Sequence, residues 1–279
     1  MSRAAVLEVE QALGRAGVPE PRTDAELLVA HVLGVGRSTV VTMIRCELDD
    51  AKRARLRGLV ERRGAREPLQ YVLGEWGFRR LDLKVDGRAL IPRPETEMVV
   101  ERALAHIAEL EAPRVLDVGT GSGAIALALA DEHPGARVVA LDLSPDALSL
   151  ARENVERTGL GDRVELRQGD LVDGVRGPFD LVVSNPPYVR ADELSALQPE
   201  VRDWEPHVAL VGDGLTEAIA AGARRILRPG GGLVLEVAEN SAQHVAVELR
   251  RLGYDDVGVT LDLSGRDRVV EGRAALTSA

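Results

Sequence analysis

The sequence predicts an α/β chain in which a small helical domain precedes a mostly parallel sheet. Three observations carry this. Five short β-branched runs follow one another after residue 113, mostly with helical spacing between them, the pattern of strands covered on both faces by crossover helices. A glycine-rich loop, "GTGSG", lies between the first of these strands and a helix. The segment from Ser2 to Arg66, by contrast, places apolar residues at three- and four-residue spacing and shows no convincing strand.

Taken in order, "RTDAELLVAHVLG" predicts one of the early helices, with Thr23 or Asp24 capping its start and Gly34 suiting its stop. The stretch Lys52–Arg66, "KRARLRGLVERRGAR", is strongly basic and reads as a solvated helix face or a docking face for an acidic partner. "LDLKV", a turn at Asp86–Gly87 and "RALI" predict a β-hairpin joining two domains. The expected division is a helical domain at 1–70, a hairpin linker at 71–93 and the sheet domain at 94–279. A helix is expected from near Thr96, with Glu95 and Glu97 at its positive end. Strands follow at 114–118, 137–141, 163–167, 179–183 and 232–237. Helices are expected between the first four, and a further one near 215–227. "DDVGVTLD" and "DRVVEGR" add two strands, making seven. Trp204 and Tyr254 are expected to pack, and Phe78 to line a pocket or fill the core.

Composition narrows the function classes. Hydrophobic residues at 45% fit a globular chain long enough for two domains. The single cysteine, Cys46, excludes an internal disulfide, fits a reducing compartment and reads as an inert helix residue. The five histidines show no metal-ligand spacing, so no metal is expected. No apolar run approaches a membrane span and the N-terminus lacks a signal peptide's apolar core, so the expected location is cytoplasmic. A net charge of −10 argues against a protein whose main work is gripping a nucleic-acid backbone.

Two loops carry the chemistry. In "LDVGTGSGAIALALA", Gly119, Gly121 and Gly123 permit a tight turn that brings backbone N–H groups close to a ligand. Asp142 ends the next strand, where an acid meets ribose hydroxyls. Ser144 caps the following helix, with Pro145 in its first turn. A dinucleotide site spaces its glycines as G-x-G-x-x-G and seats a pyrophosphate. Here Asp117 stands just before the loop, which repels phosphate and suits a ligand with a cationic amino acid group and a sulfonium. Asp170, in "QGDL", is placed to accept from an adenine amino group. The second loop is "FDLVVSNPPYVR". Its prolines must stop the strand, leaving one amide side chain, fixed carbonyls and an aromatic ring at a strand end.

Asp117 with the glycine loop, Asp142, Asp170 and Asn185-Pro186-Pro187-Tyr188 resemble a class I S-adenosylmethionine-dependent methyltransferase, a Rossmann-like domain. "EPLQYVLGEWGF", "IPRPETE" and the closing "SGRDRVVEGR" sharpen the likeness to the protein-(glutamine-N5) methyltransferases that act on peptide chain release factors. "LEVAEN" (235–240) departs from that family's usual glycine after the strand. The resemblance implies S-adenosylmethionine as methyl donor, held by Asp117, Gly119, Thr120, Gly121, Ser122, Gly123, Asp142, Asp170, Leu171 and Asn185. It implies Arg93 and Pro94, with the Asn-Pro-Pro-Tyr loop, as the substrate wall, and a Gly-Gly-Gln segment as target. Asn185 and Pro186 would supply two carbonyl acceptors for the amide N–H groups, and Tyr188 would cover the amide's flat face. Helical residues 1–70 would supply substrate recognition. The alternatives are a ribosomal-protein glutamine methyltransferase, an adenine-N6 nucleic-acid methyltransferase, which would need a basic cleft for a flipped base, and a non-catalytic module that kept the fold.

Overall fold

Apolar residues at helical spacing build the first core. In the computed structural model, which describes residues 2–42 and 48–276, these form α1 (Ser2–Arg15), α2 (Pro21–Leu33), α3 (Arg37–Thr42), α4 (Asp50–Gly64) and α5 (Leu69–Leu73). Leu13, Leu28, Val29, Leu56 and Leu69 are buried among them. Cys46 lies outside the described residues. This unit comprises Met1–Glu75 together with Gln198–Trp204, a distant segment holding the one-turn helix α9 (Pro199–Arg202).

Neither Thr23 nor Asp24 caps α2. The helix begins at Pro21, whose fixed φ suits a first turn, and Glu20 before it makes no side-chain cap bond. Asp24 is buried and accepts from Arg63 Nε at 2.7 Å. Gly34 does end the helix, in the left-handed conformation at φ 69°. The second half of the basic stretch is committed within the unit: Arg63 also reaches Glu200 at 2.9 Å, Arg66 holds Glu200 through Nε and Nη2 at 2.7 and 2.6 Å, and Arg62 binds Glu67. In its first half the side chains of Arg53, Arg55 and Arg57 are exposed. Trp204, expected to pack, is 37% exposed.

The second unit, Trp76–Leu197 with Glu205–Ala279, carries the sheet. A two-stranded hairpin opens it, formed by β1 (Glu75–Phe78) and β2 (Leu81–Lys84) and turning at Arg79–Arg80, not at Asp86–Gly87. The strand stops at Lys84 because Asn154 takes both of that residue's backbone groups, accepting from its N–H at 2.7 Å and donating to its carbonyl at 3.0 Å. Asp86 instead accepts from the backbone and guanidinium of Arg88, so "RALI" forms no strand.

The main sheet follows. Its elements are α6 (Thr96–Ile107), β3 (Arg114–Val118), α7 (Ala124–Glu132), β4 (Arg137–Asp142), α8 (Pro145–Thr158), β5 (Val164–Gln168), β6 (Phe179–Ser184), α10 (Leu215–Ile226), β7 (Leu227–Glu236), α11 (Ala242–Arg251), β8 (Tyr254–Leu261) and β9 (Asp267–Ala274). The seven strands are ordered β5-β4-β3-β6-β7-β9-β8, parallel from β5 to β7, with β9 antiparallel to both β7 and β8. Strand residues alternate between two cores: Val115, Val138, Ala140, Leu181 and Val183 pack with α6, α7 and α8, while Leu116, Val139, Leu141, Val182 and Leu233 pack with α10 and α11. Phe78 belongs to the first core. Tyr254 belongs to the second, and its hydroxyl donates to the Ala220 carbonyl at 2.7 Å.

No helix separates β5 from β6. The ten residues between them include Gly169, Gly174, Gly177 and Pro178, too short and too broken a stretch for a helix that must also span the sheet. β7 starts five residues earlier than expected, at Leu227. Among the described residues no helix is long and apolar enough to cross a membrane.

Candidate active site

The chain reverses its direction of winding at β3, which lies between β4 and β6. In an open α/β sheet this leaves a crevice at the carboxyl ends of the strands. A cavity of about 250 Å³ occupies it, walled by Val118 to Ser122, Leu141 to Ser144, Gly169 to Leu171 and Ser184 to Pro187, with Arg88 to Arg93 and Thr96 closing one side.

The glycine loop takes the shape its sequence requires. Gly119, Gly121 and Gly123 have φ of 72°, 57° and 85°, a region that side chains with a Cβ rarely adopt. The Gly121 N–H donates to Asp142 at 2.8 Å, and the Ser144 N–H donates to the other Asp142 oxygen at 2.9 Å. Asp142 is thus fixed by backbone donors with lone pairs to spare. Burial raises its pKa, partly offset by those donors. Ser144 caps α8 by accepting from the Ala147 N–H at 3.2 Å.

Asp117 is fully buried beneath the loop. Thr120 Oγ1 donates to its Oδ2 at 2.6 Å, while Oδ1 meets no donor at hydrogen-bonding geometry among the described residues. Burial pushes its pKa up to about 7, opposed by the Thr120 hydroxyl and the Ala126 backbone N–H. A buried carboxylate so sparsely hydrogen-bonded is a costly arrangement that a nearby cationic charge would relieve. The two arginines in the cavity wall are already neutralised, Arg88 by Asp86 and Glu153 and Arg93 by Glu205. With its arginines so committed and two aspartates in its wall, the cavity suits a cationic ligand with hydroxyls better than a pyrophosphate.

Of the residues expected at the site, Gly119, Thr120, Gly121, Ser122, Asp142, Asp170, Leu171, Asn185, Pro186, Pro187 and Arg93 all line this cavity. Asp117, Gly123, Pro94 and Tyr188 do not. Gly123 has a packing reason, since a Cβ there would meet Leu127 and Ala151 at 3.3 and 3.5 Å. Tyr188 is not among the lining residues, and its hydroxyl donates to Glu236 at 3.3 Å. Burial and the Glu236 charge push its pKa up to about 12.

Sequence reasoning did not find what stands behind Asn185. Thr96, read there only as the start of a helix, accepts from Asn185 Nδ2 at 3.1 Å and donates to Glu236 at 2.7 Å. The signal was present in "PETE" and "LEVAEN", polar residues inside otherwise apolar surroundings, but nothing in the spacing joins them.

Comparison with known proteins follows the same division of the chain. A family model described as PrmC N-terminal domain matches residues 4–74, and one described as Methyltransferase small domain matches 98–200. Solved structures with a similar fold include a methyltransferase from Pyrococcus furiosus, 19% identical with a TM-score of 0.52 over 81% of this chain and 100% of that one. Another is a 16S rRNA methyltransferase from T. Thermophilus, 18% identical with a TM-score of 0.55 over 72% of this chain and 49% of that one. The fold is that of an α/β methyltransferase.

Full-length relatives are closer. The release factor glutamine methyltransferase of Deinococcus radiodurans is 46% identical over 94% of this chain and 95% of its own length, and that of Streptomyces coelicolor 43% identical over 98% of each. The chain belongs to the release factor glutamine methyltransferase family.

Proposed function

We propose that this protein transfers a methyl group from S-adenosylmethionine to the side-chain amide nitrogen, N5, of the glutamine in the Gly-Gly-Gln segment of peptide chain release factors. The observation that carries the reading is the sharing of one cavity by two sets of groups: the glycine loop with Asp142, and Asn185 with the two prolines that follow it. Family membership supports the substrate. We further assign the reaction to the cytoplasm and substrate recognition to the helical unit, whose exposed arginines offer contact area away from the reacting atom.

The methyl donor supplies an electrophilic methyl on a sulfonium that leaves as a neutral thioether. Asp117, Gly119 to Gly123 and Asn185 would hold its cationic amino acid end. Asp142 keeps lone pairs for ribose hydroxyls, and Asp170 with Leu171 would meet the adenine. The protein's own contribution to the chemistry is orientation and electrostatics. An amide nitrogen is a weak nucleophile whose lone pair is delocalised into its carbonyl. Asn185 Oδ1 and the Pro186 carbonyl accept its two N–H groups, turning the nitrogen toward the methyl and stabilising positive charge as it grows there. The prolines fix the backbone carbonyl, so little reorganisation is needed. No strong base is required, because the methylated nitrogen sheds a proton readily. Arg93 and its partner Glu205 shape the substrate side of the wall.

The test is incubation with radiolabelled S-adenosylmethionine and purified release factor, beside a duplex oligonucleotide and ribosomal protein. Label is expected on the release factor glutamine. Label on the oligonucleotide or the ribosomal protein alone would overturn the reading.

A further inference from the structure

Three polar stretches far apart in the sequence meet behind Asn185. They are "PETE" around Thr96, "LEVAEN" around Glu236 and "SGRDR" around Arg268. Glu236 ends β7, is 1% exposed and lines no part of the cavity. A carboxylate so deeply buried needs donors and a compensating charge. It has both. Thr96 Oγ1 donates to Oε2 at 2.7 Å, the Tyr188 hydroxyl donates to Oε1 at 3.3 Å, and these donors with the positive charge of Arg268 oppose the burial that raises the carboxyl's pKa. Arg268 is itself held by Asp262 at 3.3 Å.

The direction of these bonds matters. Thr96 owns a single hydroxyl proton, and Glu236 in its ionised form only accepts, so that proton is then committed to Glu236. The Thr96 oxygen is left able only to accept. Asn185 lies 3.1 Å away, so the end of its amide facing Thr96 must be Nδ2, the donor. The two ends of an Asn amide are nearly the same size, and packing alone does not choose between them. Thr96, with Glu236 behind it, does.

We propose that Glu236 is a positioning residue: through the Thr96 hydroxyl it fixes the Asn185 amide with Nδ2 toward Thr96 and Oδ1 available to the substrate. Reversal of that amide would present N–H groups to the N–H groups of the incoming glutamine and remove an acceptor from the reaction. Tyr188, absent from the cavity wall, serves the same carboxylate and through it the same amide. This inference rests on the reading of Asn185 as an acceptor for the methylated amide.

Glu236→Gln is the sharpest variant. A glutamine can accept from Thr96 or from Tyr188 but offers an N–H to the other, so the hydroxyl of Thr96 is no longer committed. Turnover on release factor at saturating cofactor is expected to fall by about tenfold, less than the loss of the acceptor itself would cause. The KM for release factor and the affinity for S-adenosylmethionine should move far less. Thr96→Val should lower turnover similarly, and Thr96→Ser, which restores the hydroxyl, should regain most of it. The decisive comparison is a double-mutant cycle: in an Asn185→Ala background, Glu236→Gln should have no further effect. Equal losses in both backgrounds, or undiminished turnover of Glu236→Gln, would overturn the proposal. Should Glu236→Gln fail to fold, the same cycle is run with Thr96→Val. A readout independent of substrate is the Asn185 side-chain NH₂ pair in a ¹⁵N spectrum, assigned by its disappearance in Asn185→Ala. Its slowed hydrogen exchange should be lost in Glu236→Gln; equal exchange in both would also overturn the proposal. If the native chain fails to label release factor while this exchange effect is present, the substrate reading falls and the relay stands.

Discussion

The cavity's two walls differ in how completely their polar groups are matched. On the glycine-loop side, Asp117 is buried behind the wall with one oxygen lacking a close donor among the described residues, and Asp142 keeps free lone pairs beyond its two backbone bonds. On the Asn185 side, the amide nitrogen, the Thr96 hydroxyl and both oxygens of Glu236 have partners within the protein. The first wall is electrostatically unfinished and gains when a cationic ligand arrives. The second is complete beforehand and can act on a neutral amide without rearranging. Binding energy and catalytic order are thus drawn from different walls of one cavity.

That division can be broken most severely at Asn185. Asn185→Ala is expected to lower turnover by roughly 10²–10³-fold, as deletion of a preorganised dipole does, while cofactor affinity changes much less. Single-turnover rates beside calorimetric titration separate the two. Next in size is Asp142→Ala, expected to weaken S-adenosylmethionine binding by about 1.5–3 kcal/mol through lost charge-assisted bonds. Because Asp142 also holds the Gly121 N–H, the loop should loosen as well, visible as faster amide exchange at Gly121.

A third test uses pH. With the Asp117 pKa raised to about 7 by burial, the folded chain keeps a proton between the ordinary carboxylate range and pH 7 that the unfolded chain has lost. Stability of the ligand-free protein therefore falls as pH rises through that window. A cationic group bound beside Asp117 needs it ionised, so cofactor affinity should weaken below pH 7, approaching ~10-fold per unit. Asp117→Asn should flatten that dependence, weaken binding at pH 8 and raise the melting temperature of the ligand-free protein there. An unchanged pH profile would remove Asp117 from the cofactor site. Smallest is Ser144→Ala, which deletes the α8 cap. It should cost about 1 kcal/mol of stability and alter turnover little.

The sheet was legible because short β-branched runs such as "RVLDV", bounded by turns and helical spacing, need no partner to declare themselves, and β3 falls on the expected residues. The glycine loop was legible for a similar reason, its geometry being local. The hairpin's end was not, because Asn154, a residue 70 positions from Lys84, takes the place of a strand partner. Nor was the relay, since Thr96 and Glu236 stand 140 positions apart and a lone Glu after an apolar run looks like a strand end. Tyr188 was assigned to the substrate from its place in a motif, whereas burial and a carboxylate behind the loop decide where its hydroxyl goes.

The chain passes from one unit to the other three times, because Gln198–Trp204 belongs with the first 75 residues. During synthesis this leaves the helical unit's ion pairs waiting. When Glu75 has left the ribosome, Arg63 and Arg66 have been made, yet Glu200, the carboxylate they share, is 125 residues away. At ~5–20 residues per second that is a delay of roughly 6–25 s. Through that interval Asp24 is the carboxylate partner of Arg63 among the described residues. The apolar core of the early helices is complete in the first 75 residues, so it is the Arg63–Glu200 and Arg66–Glu200 pairs that are expected to form only after most of the parallel sheet has emerged.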